Sequence, residues 1–414
     1  MQRRRKPVAA IDVGSTKVAV IVGDLGERGE MRVLGFGVAP GSGLSRGVID
    51  NIQSARDAVA TAVAKAEQSC GMRILSAVVG ISGSHIEAQN NRGIVTIPDR
   101  ARPISVEDRA RVLDIAGEIS IPSNRQVLHV LPRGYWVEGT ELVSDPVGMY
   151  GNRLDAETHI ISGSVSAIQN LTKCVEGAGV QVDEITLEPL ASATSVLAYQ
   201  ERQQGVAVVD IGGSTTSIVV YDEGAVAHTA NLPIAGSHFT HDLARMLRCP
   251  WESAEATKCE FGSAYSGDTT DECVEIQAFG TQAVKQVALS HICEILQARA
   301  EEVLDMVAME LRKVRLFERV AAGLVLTGGG SQLRGLAEVA EAHLRLPARM
   351  GRPKGFTGMS DLIGTPAFAT SIGLVEYALR EDDGLYESAP GGFDVSAGGL
   401  FKRIASMGRA LMPQ

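Results

Sequence analysis

Val206-Ala207-Val208-Val209-Asp210-Ile211-Gly212-Gly213-Ser214-Thr215-Thr216-Ser217-Ile218-Val219-Val220-Tyr221 lies in the middle of a 414-residue chain. It reads as a buried apolar strand, an acidic glycine turn and a second apolar strand. The turn holds one carboxylate, two glycines and three consecutive hydroxyl residues. Such a loop lets backbone amides approach phosphate oxygens, and its carboxylate can organise a hydrated metal ion. The same design opens the chain. Val8-Ala9-Ala10-Ile11-Asp12-Val13-Gly14-Ser15-Thr16-Lys17-Val18-Ala19-Val20-Ile21-Val22-Gly23 is again strand, Asp-x-Gly turn, strand. The two copies are about 200 residues apart, a domain-sized interval. Duplication of this kind predicts two similar lobes, each presenting its hairpin to a shared cleft.

The bulk properties fit that reading. A chain of this length can bury two or more sizeable cores. Its 45% hydrophobic and 21% charged residues are those of a globular protein, and its net charge of −10 argues against a general nucleic-acid binder. The six cysteines, Cys70, Cys174, Cys249, Cys259, Cys273 and Cys293, form no Cys-x-x-Cys pair, which predicts thiols in a reducing compartment. No signal-peptide region and no apolar run of about 18 residues is present. The expectation is a cytoplasmic chain that does not span a membrane.

Taken in order, strands, a helix at about 52–69 and a strand at 74–81 make residues 1–83 a mixed α/β start. From 84 to 162 the strands are expected to be short, with one helix capped by Ser105, as a small, separable α+β unit inserted into the first lobe. The first lobe resumes over 163–203, with a helix ended by Gly179 and an alanine-rich helix over 189–203. The second lobe is expected at 204–236 and 319–364, interrupted by a helical inset at 237–318 whose long helix spans about 281–318. A closing helix at 365–380, a flexible linker at 381–397 and a terminal segment at 398–414 complete the chain.

The chemistry gathers on three glycine-rich loops at strand ends, where ligands bind in open α/β sheets. Gly14, Ser15, Thr16, Gly212, Gly213, Ser214 and Thr215 are placed to clamp a polyphosphate, as in ATP. Asp12 and Asp210 are placed to position Mg2+ through water. Lys17 can reach a phosphate as a point charge. Gly328, Gly329 and Gly330 follow a buried strand and can lie flat under a base and ribose, with Ser331 capping the next helix. Gly43-Leu44-Ser45-Arg46-Gly47 matches a Gly-x-Ser-x-Gly pattern but lacks the strand-to-helix elbow and oxyanion loop of a serine hydrolase. His238 and His241 are the closest of eight dispersed histidines and read as a polar helix face.

The terminal segment is basic and amphipathic. Leu400, Phe401, Ile404, Met407, Leu411 and Met412 form one stripe, flanked by Lys402, Arg403 and Arg409, with no acidic residue. Behind a flexible linker this suits a membrane interface better than docking on the chain's own core.

These motifs resemble the phosphate-1, phosphate-2 and adenosine motifs of the actin–Hsp70–hexokinase superfamily. Within it the chain is similar to the FtsA family of bacterial cell-division proteins. The similarity rests on Ile81-Ser82-Gly83-Ser84-His85-Ile86 before the insertion, Glu188-Pro189-Leu190-Ala191-Ser192-Ala193 before the central motif, and the terminal helix. It implies an actin-like two-lobed fold of duplicated ribonuclease-H-like cores with an inserted α+β subdomain. It implies ATP binding, filament formation, attachment of the tubulin-like protein FtsZ to anionic inner-membrane lipids and recruitment of later division proteins. Glu255 and Lys258 fall where the family contacts ribose and adenine, with Thr257 a departure from the usual isoleucine. A pilus-assembly actin-like ATPase, or a small-molecule kinase of the superfamily, is the alternative. No confident catalytic residue emerges, so an ATP-binding scaffold with at most weak ATPase activity is expected.

Overall fold

The computed structural model describes residues 7–26, 29–98, 102–139, 141–267, 272–279 and 284–382. In chain order the first lobe begins β1 (Val8–Val13), β2 (Lys17–Leu25), β3 (Met31–Pro40), β4 (Leu44–Ser45), β5 (Val48–Ile49), α1 (Ile52–Cys70) and β6 (Ser76–Ile81). The insertion holds β7 (Glu87–Thr96), α2 (Val106–Gly117), β8 (Arg125–Val137), β9 (Glu141–Val143) and β10 (Arg153–Ser164). The first lobe returns with α3 (Val165–Gly177), β11 (Gln181–Leu187), α4 (Glu188–Val196) and α5 (Tyr199–Gln204). The second lobe comprises β12 (Val206–Ile211), β13 (Thr216–Asp222), β14 (Ala225–Leu232), α6 (Gly236–Leu247), α7 (Trp251–Phe261), β15 (Cys273–Gln277), β16 (Val284–Ala288), α8 (Leu289–Lys313), β17 (Leu324–Thr327), α9 (Leu336–Leu344) and β18 (Ala348–Met350). The chain then crosses back through β19 (Phe356–Thr357), α10 (Ser360–Ile363) and α11 (Ala369–Asp382).

The duplication is visible in the strand order. One sheet runs β11-β6-β1-β2-β3-β19 and the other β18-β17-β12-β13-β14. In each, a three-strand antiparallel meander is extended by two parallel strands beside its first strand. The central strands are apolar on both faces because both faces are covered. In the second lobe, Ala207, Val209 and Ile211 point into a core with α6 and α8, while Val206 and Val208 pack with Leu190 and Val196 of α4.

Two helices, α4 and α11, pass between the sheets and hold the lobes together. They approach closely enough that a Cβ at Gly373 would lie 1.8 Å from the Ala191 carbonyl oxygen, so only glycine fits there.

Several expectations change. The strands of the insertion are long, ten to thirteen residues for β7, β8 and β10. They form the sheet β7-β10-β8-β9 with α2 on one face. Ser105 does cap α2, in a capping box with Asp108. The insertion has a small core of its own, with Val95, Val112 and Leu154, and it also packs on both lobes. Leu131 and Ile161 lie in one core with Val208 and Tyr221 of the second lobe, and Leu128 in the core of the first. The His129 ring accepts a hydrogen bond from the Leu187 amide at 3.0 Å. The expected helix over 189–203 breaks at Leu197, because Glu201 caps a new helix by accepting from the Ala198 amide at 2.7 Å.

The long helix begins at Leu289, not 281. Val284 and Val287 have helical spacing but lie on β16, where Val287 is buried and Val284 exposed. A short apolar run does not distinguish the two periods. Ser331 does not cap a helix. Its hydroxyl donates to the Gly328 carbonyl at 2.8 Å, and α9 starts after Gly335. Residues 383–397 of the expected linker and the terminal segment 398–414, with Leu400, Phe401, Lys402, Arg403, Ile404, Met407, Arg409, Leu411 and Met412, lie outside the described residues. Among the described residues no helix is long and apolar enough to cross a membrane.

Candidate functional site

The two Asp-x-Gly hairpins are built alike. The Gly14 amide donates to the Lys17 carbonyl at 3.0 Å, and the Gly212 amide to the Thr215 carbonyl at the same distance. Asp12 and Asp210 each stand one residue before the end of their strand. The hairpins face each other across the lobes. A Cβ at Gly213 would lie 2.1 Å from Thr16 Oγ1 and 2.8 Å from Ser15 Oγ. Between the lobes opens a cavity of about 790 Å³, large enough for a nucleotide.

Every cleft residue expected from the sequence borders this cavity: Asp12, Gly14, Ser15, Thr16, Lys17, Asp210, Gly212, Gly213, Ser214, Thr215, Glu255, Lys258, Gly328, Gly329 and Gly330. The third loop packs tightly on the second hairpin. At Gly328, φ is +83°, and a Cβ would lie 2.3 Å from Asp210 Oδ1. On α7, Glu255 and Lys258 pair at 2.7 Å, and both bond Thr240 of α6. Burial works against the Glu255 charge, but Lys258 and Thr240 hold its carboxyl below the ordinary value. Lys17 donates to the Ala367 carbonyl and lies 4.4 Å from the Phe368 ring centre.

The floor of the cleft carries residues to which the sequence assigned no role. Ser371 of α11 donates to Asp12 at 2.7 Å. Ser192 of α4 and Thr370 of α11 donate to Asp210 at 2.5 and 3.0 Å. Glu188, at the start of α4, borders the same cavity and accepts from Ser82. Burial, then the charge of Asp12 and that of Asp210, raises the Glu188 carboxyl to about 8. Burial also raises Asp210, against the hydrogen bonds from Ser192 and Thr370. Glu188 was legible only as part of a family phrase, because its burial beside two aspartates is a tertiary fact.

This donor set fits a hydrated divalent cation. Among the described residues no group of three His, Cys, Asp or Glu side chains is placed to hold an ion directly. Two aspartates facing a polar cavity suit Mg2+, which keeps several waters. Gly43-Leu44-Ser45-Arg46-Gly47 is a β-hairpin and not a nucleophile elbow.

Residues 83–162 match the model for the SHS2 domain inserted in FtsA, and residues 207–373 the model for cell division protein FtsA. The cell division protein FtsA of Pseudomonas aeruginosa is 39% identical over 93% of both chains. That of Escherichia coli is 34% identical over 90% of both.

The chain belongs to the FtsA family.

Solved structures place the family's fold among actin-like proteins. The PilM–PilN type IV pilus biogenesis complex superposes with a TM-score of 0.64 at 16% identity, covering 91% of this chain and 99% of that one. MreB5 of Spiroplasma citri bound to ADP gives 0.56 at 14% identity, covering 93% and 100%. The actin-like two-lobed fold with an FtsA-type inserted domain therefore stands as expected, and the FtsA identity displaces the pilus and kinase alternatives.

Proposed function

We propose that this protein binds Mg·ATP between its lobes, polymerises, and tethers the FtsZ ring to the cytoplasmic face of the inner membrane while recruiting later division proteins. The single observation that carries the nucleotide part is the pair of like-built hairpins closing on one cavity, with Asp12 and Asp210 at its floor. In this reading the amides and hydroxyls of both loops hold the phosphates. Gly328–Gly330 lie under the base, and Glu255 and Lys258 meet the ribose and adenine. Bound Mg2+ would screen the phosphate charge. MreB5, on the same fold, is described bound to ADP, which supports the choice of ligand.

Turnover is expected to be slow. Glu188 is the further carboxyl on the cleft floor, and Ser82 already donates to it. Residues 84–162 serve as a contact for partners or neighbouring protomers, since they supply none of the three glycine loops. The segment 398–414 serves as a reversible anchor. Lys402, Arg403 and Arg409 each contribute on the order of 1 kcal/mol near anionic lipid. The apolar stripe adds roughly 25 cal/mol per Å² buried. A lone short helix binds weakly, and a filament presenting many copies raises the effective affinity roughly 10²–10⁴-fold.

Flotation with anionic liposomes, with and without FtsZ, tests the tether. The full chain should float and carry FtsZ with it, and a chain ending at Ala397 should do neither. Equal flotation of the two would remove the anchor from the tail.

A further inference from the structure

The β4–β5 hairpin contributes Leu44, Gly47 and Ile49 to one wall of the cleft. Leu44 pairs with Ile49 and Ser45 with Val48, leaving Arg46 and Gly47 as the two turn residues. Both have positive φ, +50° and +74°. A two-residue turn of this hand is normally Asn-Gly or Gly-Gly. Arginine takes the left-handed conformation that this turn requires, as Glu223 does before Gly224 between β13 and β14. Among the described residues Arg46 makes no hydrogen bond or ion pair, and its side chain is exposed.

The hairpin cannot swing freely. Its base is pinned at Gly43, where a Cβ would lie 2.2 Å from the Asn51 carbonyl oxygen. Its tip is pinned at Gly47, where a Cβ would lie 2.4 Å from the Gly83 Cα and 2.5 Å from the Ser82 carbonyl oxygen. Leu44, Gly47 and Ile49 border the cavity, and Arg46, exposed at the turn of the same hairpin, lies just outside its lining. Its charge is felt across the cleft. Burial, and beyond it the charges of Arg299 and Arg46, lower the His238 imidazole on α6 of the opposite lobe. The residues before His238, Gly236 and Ser237, border the same cavity.

A second observation comes from the wall beneath. His85 borders the cavity, and both its ring nitrogens are buried with no hydrogen-bond partner. Burial holds this imidazole below its ordinary pKa, with Arg125 adding to the effect. It is therefore a neutral ring with one donor and one acceptor unused, and buried polar groups of this kind are ordinarily hydrogen-bonded. The cations that border the cavity are engaged. Lys17 is held by Ala367, Lys258 by Glu255, and Arg334 by the Gly262 carbonyl at 3.2 Å. A triphosphate entering beside Asp12 and Asp210 brings more negative charge to an acidic floor. Beyond the metal, a free cation and a free donor near its far end would favour it.

We propose that the β4–β5 hairpin reads the terminal phosphate of the bound nucleotide, Arg46 pairing with it from the turn and His85 hydrogen-bonding it from the wall. The proposal rests on the nucleotide reading of the cleft and deepens it, because it makes the hairpin the part that separates a nucleoside triphosphate from a diphosphate. Gly47 packs on the turn that carries Ser82, and Ser82 bonds Glu188. A phosphate drawn to the hairpin is thus sensed two contacts from the cleft floor.

The test is calorimetric titration of the full chain and its variants with Mg·ATP and with Mg·ADP. Arg46→Ala should weaken Mg·ATP roughly ten- to a hundredfold, the span of a charge-assisted hydrogen bond, and leave Mg·ADP within a factor of about two. Arg46→Lys should recover part of the loss, since lysine keeps the charge without the planar fork. Arg46→Gly should lose Mg·ATP affinity as fully as Arg46→Ala while melting no lower than the unaltered chain, because glycine relieves the positive φ. A merely structural role would not give that combination. His85→Ala should also lower Mg·ATP affinity selectively. Unchanged affinities, or equal losses of both nucleotides, would overturn the proposal while leaving the nucleotide site intact. Failure of the unaltered chain to bind either nucleotide would instead overturn the reading of the cleft on which it rests.

Discussion

Ser371 donates its hydroxyl hydrogen to the Asp12 carboxylate at 2.7 Å, joining residues 359 positions apart in the chain. The last helix thereby fixes the acid of the first strand. Its neighbour Thr370 does the same for Asp210, helped by Ser192 from α4. The two helices that cross between the lobes thus aim both carboxylates at one cavity.

Crowding of Asp12, Asp210 and Glu188 has a cost in the absence of ligand. Burial disfavours the ionised Asp210, and Asp12 adds like-charge repulsion. Asp210→Asn keeps the shape and an acceptor for Ser192 and Thr370 but removes the charge. It should raise the melting temperature of the nucleotide-free protein by roughly 2–4 °C, the shift expected for about 1 kcal/mol in a domain of 150–250 residues. Differential scanning calorimetry measures this, and a fall in melting temperature would mean that Asp210 stabilises the empty cleft.

Gly213 sits where the two phosphate loops nearly touch. A methyl group there meets Thr16 Oγ1 at 2.1 Å. Gly213→Ala should push the loops apart at an overpacking cost of about 1–3 kcal/mol. Nucleotide affinity should fall about tenfold or more, with far-ultraviolet circular dichroism unchanged. Retention of full affinity would show that the loops do not act as a clamp.

Two buried histidines set a limit at acid pH. Burial holds His129 down to about 4, and burial with the His228, Arg133 and His129 charges holds His159 to about 3, against 6.5 for a free imidazole. Their folded pKa values are depressed, so the unfolded chain takes up protons that the folded one refuses. The stability is therefore present above pH 6.5 and is lost as pH falls from 6.5 toward 4 and 3. At pH 5.5 each histidine should account for a loss of about 1 kcal/mol. Urea midpoints at pH 7.5 and 5.5 should differ less in His129→Gln than in the unaltered chain. An equal difference would move the acid sensitivity elsewhere.

The duplicated hairpins could be read because their signal is local. An apolar run, one aspartate and two or three small residues suffice, and the strand order then follows from the repeat. The serine and threonine that aim the aspartates could not. Ser192, Thr370 and Ser371 lie in alanine-rich or small-residue helices, where hydroxyls ordinarily satisfy themselves on the preceding turn. Their roles depend on partners 18, 160 and 359 residues away. Val284 and Val287 misled for the opposite reason: their spacing fits a helix, and only pairing with Cys273–Gln277 makes them a strand. The bond between His159 and Thr229 at 3.0 Å, which ties the insertion to the second lobe, joins two unremarkable polar residues and left no mark in the sequence.

The central claim is that one cleft between the lobes binds Mg·ATP through the two Asp-x-Gly hairpins. Titration calorimetry of Mg·ATP into the full chain and into Asp210→Ala tests it most directly. The account predicts one Mg-dependent site per chain, weakened roughly ten- to a hundredfold in the variant, as befits a lost charge-assisted contact of about 1.5–3 kcal/mol. Equal affinity in the two proteins, or binding that ignores Mg2+, would contradict it.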